Sequence, residues 1–215
     1  MTQIRQAQAT STADQAEFQA SLLRQQNDLL YKNLPSSILG TLAVAVSAAA
    51  FFWQTVQQQH LIVWLAAVIG VGLSRTLILW SYRTQPASPS AKQWHRLYIL
   101  GSWLSALAWG SAALLIFPDN SPVHQILLGF MLTGVTVVGL SSQIASLTSA
   151  TGFLLITLTP MSLRFLSDWQ QSFIPGLLLL LMILILAHLT RNMNRTILQN
   201  FTLHLQSMLR EQSLR

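Results

Sequence analysis

One arginine interrupts a long apolar run, at Gly70-Val-Gly72-Leu-Ser-Arg75. A guanidinium inside a lipid-length segment costs about 2.5–3.5 kcal/mol at the helix centre and less near an end. Arg75 lies five residues before Trp80, so its head could reach the lipid phosphates by snorkelling. Alternatively it contacts an anion or another ligand, or tethers two helices. The acids of the chain are Asp14, Glu17, Asp28, Asp119, Asp168 and Glu211, and none falls in a neighbouring apolar run. That leaves no carboxylate relay for pumped protons and no pair set for acid/base work. Phosphate loops, kinase signatures, His-Glu-x-x-His and Gly-x-Ser-x-Gly are all missing, and Gly70-Val-Gly72 sits in lipid-length sequence where no nucleotide loop can form. Catalysis is not expected of this chain.

His60 and His124 stand at the same end of two apolar runs and would face each other if those runs are neighbours. Two imidazoles could hold Zn, Cu or haem, or titrate near pH ~6.5. With no third ligand in view they are weak metal candidates, and no cofactor is expected. His188 has no partner at ligand spacing, and His95 and His204 read as surface residues. Zero cysteines excludes disulfides and thiolate sites.

Small residues mark where helices could approach closely. Gly101, Ser105, Ala108 and Ala112 form a stripe at steps of four, three and four, and Gly129, Gly134 and Gly139 repeat the theme one run later. The stripes serve packing, or they leave a small-molecule cavity walled by Trp103 and Trp109 with the hydroxyls of Thr133 and Thr136 inside. Trp53, Trp64, Trp80, Trp94 and Trp169 sit where an interfacial belt places tryptophan. The stretch Ser141-Ser142-Gln143-Ile-Ala-Ser146-Leu-Thr-Ser149 is polar and uncharged, and Pro160 is expected to kink its helix by freeing the carbonyl of Ile156.

The elements that must carry these residues follow from composition. At 52% hydrophobic and 8% charged, the chain holds more apolar surface than a water-soluble core can hide. The apolar runs are continuous and do not alternate with period two, so helices are expected and a barrel is not. They lie at about 35–56, 61–82, 97–117, 125–143, 147–165 and 173–190, each near the ~20 residues needed to cross a bilayer. The expected fold is all-α: a polytopic bundle of about six transmembrane helices with an amphipathic helix at each terminus.

Charge sets the orientation. The net charge of +6 does not read as nucleic-acid binding. With residues 1–34 inside, Arg83, Lys92, Arg96, Arg191, Arg195, Arg210 and Arg215 are inside too, leaving Arg164, beside Asp168, outside. Both termini are then cytoplasmic and the span count is even; five spans would put the Arg-rich tail outside. The division is 1–34, a cytoplasmic segment; 35–190, the transmembrane domain; and 191–215, a cytoplasmic helix. No secretory signal begins the chain, so insertion is expected to rely on the first span. From Thr12 to Lys32, Phe18, Leu22, Leu29 and Leu30 predict an amphipathic helix on the inner surface, and Pro35 opens the first span. The loop at Arg83-Thr-Gln-Pro-Ala-Ser-Pro-Ser is the longest and too short for a domain. In the tail, Leu198, Phe201, Leu205 and Met208 follow the spacing of a short coiled-coil seam, which pairs two copies, continues into a domain beyond Arg215, or frays as an amphipathic end.

Leu29-Leu-Tyr31-Lys-Asn33-Leu-Pro35, Trp64-Leu, Arg75, Trp94-His-Arg, Gly101 and Ala108-Trp109-Gly110 together resemble the N-terminal six-span input region of bacterial diguanylate cyclases and hybrid sensor histidine kinases. The resemblance covers about residues 25–190 and its motifs are loose. It implies a bacterial inner-membrane sensor, working as a homodimer, that relays a small-molecule or bilayer signal through its last helix to a cytoplasmic output domain. It carries over no ligand residues. The rival expectation is a small-molecule transporter or channel subunit, though no inverted repeat or intramembrane acid supports one.

Overall fold

The computed structural model describes residues 2–84, 90–168 and 172–213, with side chains over 18–84, 90–168 and 172–203 and at 207. The elements are α1 (Thr2–Phe52), α2 (Gln58–Thr84), α3 (Ala91–Gly110), α4 (Ala112–Leu115), α5 (Pro122–Gln143), α6 (Leu147–Ser167) and α7 (Phe173–Ser213). No strand occurs among the described residues. Six helices are long and apolar enough to cross a membrane, with α3 and α4 together forming the third. The protein is an all-α, multi-pass membrane bundle.

The six runs expected from sequence coincide with these helices, but the first begins earlier. Pro35 lies inside α1, which is continuous for 51 residues. Proline there removes one intrahelical bond, to the carbonyl of Tyr31. Packing outweighs that loss: Leu30, Tyr31, Leu34 and Ile38, on both sides of Pro35, are buried with Leu79, Trp94 and Tyr98 of α2 and α3. Before Pro35, buried Asn27, Leu30, Tyr31 and Leu34 alternate with exposed Arg24, Asp28 and Lys32, so the stretch is amphipathic as expected but continuous with the first span. Phe18, Leu22 and Leu29 are half-buried and Leu30 is buried. The boundary drawn at residue 34 falls in mid-helix.

Contacts run α1 to α2, α2 to α3, α3 to α6, α6 to α5 and α5 back to α1, closing a ring, while α7 lies outside it chiefly against α6. Its core holds Phe52, Leu61, Trp64, Trp109, Phe153 and Leu158. Only 22% of the apolar windows of α2 and α7 is buried, against 56% for the third span, so α2 and α7 present the broadest faces to lipid. Asn27 of α1, Tyr82 of α2, Ala91 and His95 of α3, Ser146 of the α5–α6 turn and Asn194 of α7 lie towards one end of the bundle, called here the terminal end.

Close approach is concentrated where α3 meets α6. Pro160 in α6 has no N–H for the carbonyl of Ile156, and Gly110 abuts that same oxygen. A Cβ at Gly110 would collide with it. Directly after Gly110 the third span breaks at Ser111, and the carbonyl of Ala108 accepts from Trp64 Nε1 and Ser111 Oγ, each at 2.9 Å. The small-residue stripes divide into crowded and open positions. Gly101 makes room for the Arg75 stem and Gly139 for the Phe153 ring, but nothing lies within 4 Å of a Cβ at Gly134.

Candidate functional site

Arg75 turns into the bundle. Its side chain is 5% exposed, so the guanidinium does not reach out to lipid phosphates. Its carbon stem runs beside Gly101, where a Cβ would stand 3.4 Å from Arg75 Cγ. The guanidinium carbon lies 5.5 Å from the centre of the Tyr98 ring, within the range of a cation–π contact. The Tyr98 hydroxyl is directed at Arg75 and Ser142 without closing a hydrogen bond to either. Nη2 of Arg75 and the Tyr98 hydroxyl are both buried without a partner. They border a narrow crevice whose other walls are Tyr31, Leu34, Ile78 and Leu97. Above it the aromatic cluster is close-packed: Tyr31 stacks on Tyr82 at 3.9 Å, and Trp94 meets both edge-on. Tyr82 donates to Asp28 at 2.5 Å and Tyr31 to the Trp94 carbonyl at 3.0 Å.

A chain of polar side chains crosses the terminal end beside this crevice. Asn27 of α1 donates to the Ala91 carbonyl at 2.8 Å, which leaves its Oδ1 to accept from His95 Nδ1 at 2.9 Å. His95 Nε2 then accepts from Ser146 Oγ at 3.2 Å, the assignment that this network dictates. Ser146 caps α6, receiving Ser149 N–H at 3.5 Å. Gln143 Oε1 accepts from Ser149 Oγ at 2.7 Å and from Ser102 Oγ of α3. Gln143, Ser102 and Ser149 have no exposed surface. The neighbouring Ile144 carbonyl accepts from Asn194 Nδ2 of α7 at 2.6 Å. The α5–α6 turn is thus tied to α3, α6 and α7, and through His95 to α1. Such links are strong where water is excluded, because a broken one strands a buried polar atom.

The remaining sequence candidates lie elsewhere. Trp109 is buried edge-on against Trp64, ring centres 5.3 Å apart. Trp103 is half-buried, with its indole against Gly152 of α6. Thr133 donates to the Gly129 carbonyl at 2.8 Å and Thr136 to that of Leu132 at 2.7 Å, so both hydroxyls bond their own helix. None of these four borders the Arg75 crevice. His60 is exposed. His124 lies against Phe51 and Phe52 of α1 and bonds Ser121 at 2.6 Å. No cluster of three His, Asp or Glu that could hold a metal occurs among the described residues. At the far end Arg164 meets Asp119 at 2.7 Å and covers the Phe117 ring.

Leu198 and Thr202 of α7 border a half-open cleft of about 1270 Å³, opposite Leu22 and Arg24 of α1 and Lys92 of α3. Phe201 is half-buried. The side chains of Leu205 and Met208 fall outside the described residues, although the helix runs on through both. His95, which read as a surface residue, instead bridges three helices. Asn27 and Asn194 carried no signal at all, since each finds its partner far away in sequence. The polarity of 141–149 was the one hint of the α5–α6 hub. No protein-family model, curated protein or solved structure matches this chain.

Proposed function

We propose that this protein is a membrane-embedded sensory input module. A ligand in the bundle, or a change in the bilayer, alters the packing at the terminal end, and the last helix carries the change to a cytoplasmic output domain such as a cyclase or kinase. The observation that supports this reading is the attachment of α7. It is one helix from Phe173 to Ser213, and its buried Asn194 is fastened to the α5–α6 turn, where the polar links from the other helices converge. A ligand shifts such an equilibrium only by binding one packing better than the other. The resemblance to cyclase and kinase input regions supports the same arrangement, with both termini in the bacterial cytoplasm and two copies meeting through the helix that holds Leu198, Phe201, Leu205 and Met208.

The test is a chimera with a reporter cyclase joined after Arg215, in register with α7. Output is expected to change several-fold when Leu198 and Phe201 are replaced together by Asn, or when one residue is inserted after Asn194. Output indifferent to both changes rejects the relay.

A further inference from the structure

We infer that the crevice between α1, α2 and α3 is an oxyanion site, in which Arg75 and Tyr98 receive a single carboxylate or phosphate head. The inference deepens the sensory reading by naming what is bound.

A buried guanidinium needs acceptors, because removal from water without them carries a heavy desolvation penalty. Here the side chain is 5% exposed, Nη2 has no partner, and the aromatic face of Tyr98 supplies no hydrogen-bond acceptor in the guanidinium plane. No acid borders the crevice. Of the acids whose side chains are described, Asp28 is engaged by Tyr82, Asp119 by Arg164, and Asp168 lies at the far end of α6. The second polar group on the crevice wall, the Tyr98 hydroxyl, is 2% exposed and also unpartnered. A cationic donor, Nη2 of Arg75, thus stands unpartnered beside a hydroxyl whose own hydrogen bonds are incomplete, with no carboxylate on the crevice walls. That is the complement of an oxyanion, which accepts from both and neutralises the charge.

The crevice is narrow and half open, and as it stands it has no room for a group the size of water, so a head group enters only as its walls part. Its remaining walls include the half-buried Ile78 and Leu97, whose side-chain ends can swing aside for a head group. Arg75 lies five residues, or about 7.5 Å along the helix, below the exposed Trp80 that marks the membrane interface. An amphiphile lying in that leaflet brings its head to this depth, and so does a small free anion entering from the terminal end.

The experiment uses the full chain in nonionic micelles at pH 8, followed by thermal unfolding. The probes are dodecanoate, the matched neutral dodecanol, and acetate or inorganic phosphate at millimolar concentration. Dodecanoate is expected to raise Tm by several degrees more than dodecanol. Arg75→Met is expected to unfold at a higher Tm than the unliganded parent, because the uncompensated charge is gone, and to respond equally to both amphiphiles. Tyr98→Phe removes one hydroxyl only; it keeps the fold and is expected to weaken dodecanoate binding about 3- to 10-fold, which decides the matter should Arg75→Met not fold. A shift with dodecanoate alone assigns a lipid source, and a comparable shift with acetate or phosphate assigns a soluble one; either supports the site. Equal responses of the parent to dodecanoate and dodecanol, or a dodecanoate response that survives in both variants, overturn it. These readouts do not involve α7 output, so failure here is distinct from failure of the relay.

Discussion

Asn194 joins the helix that leaves the bundle to the turn on which the polar network converges, by one 2.6 Å bond to the Ile144 carbonyl. Asn194→Leu fills the space but strands that buried carbonyl, so a loss of about 1–3 kcal/mol is expected. Urea unfolding in mixed micelles measures it, and the reporter chimera should lose its response in the same variant. Gln143→Leu strands two serine hydroxyls at once and should cost at least as much, whereas Gln143→Glu keeps an acceptor for both. Legibility at this scale was uneven. Arg75 stood out because a charge in an apolar run is conspicuous whatever the fold. His95 and Asn27 did not, because their bond spans 68 positions and nothing local to either residue foretells the other. Thr133 and Thr136 looked available in sequence, but a helical hydroxyl readily turns back on the preceding turn, and both do.

Helices in lipid gain little from hydrophobic contact and depend on close fit, so single Cβ atoms matter most where two backbones nearly touch. Gly110 against the Ile156 carbonyl is such a place. Gly110→Ala is expected to destabilise by about 1–3 kcal/mol, as overpacking does elsewhere. Gly134→Ala, with nothing within 4 Å, is expected to be neutral or to gain up to about 1 kcal/mol of helix propensity. Thermal unfolding of the two variants side by side checks the contrast. Sequence spacing put Gly134 in the same stripe as Gly129 and Gly139, because periodicity finds a face but not its neighbour. It also supplied half of the α3–α6 contact, through Pro160 and the carbonyl it frees. That Gly110 meets this carbonyl depends on which helices are adjacent. Pro35 teaches the converse: a local rule for helix entry gave way to the burial of Leu30, Tyr31 and Leu34 beside it.

Taken whole, the molecule was read most readily, since span number follows from apolar length and lysine and arginine placement. A chain without cysteine lets the threading be tested directly. Single cysteines at Ser90 and Ser121 are expected to label from opposite sides of the membrane, with Ser90 on the side of both termini; labelling from one side at both positions rejects six crossings. What sequence left open was the order of the helices around the ring, which depends on tertiary packing alone. That order places α7 on the outside, resting mainly on α6. A rigid rod pinned near its middle is a lever. From Asn194 to Ser213 the arm measures about 28 Å, so a tilt of only about 5° at the pivot sweeps the tip through about 2.5 Å. Displacements too small to disturb the ring would thus arrive at its end magnified.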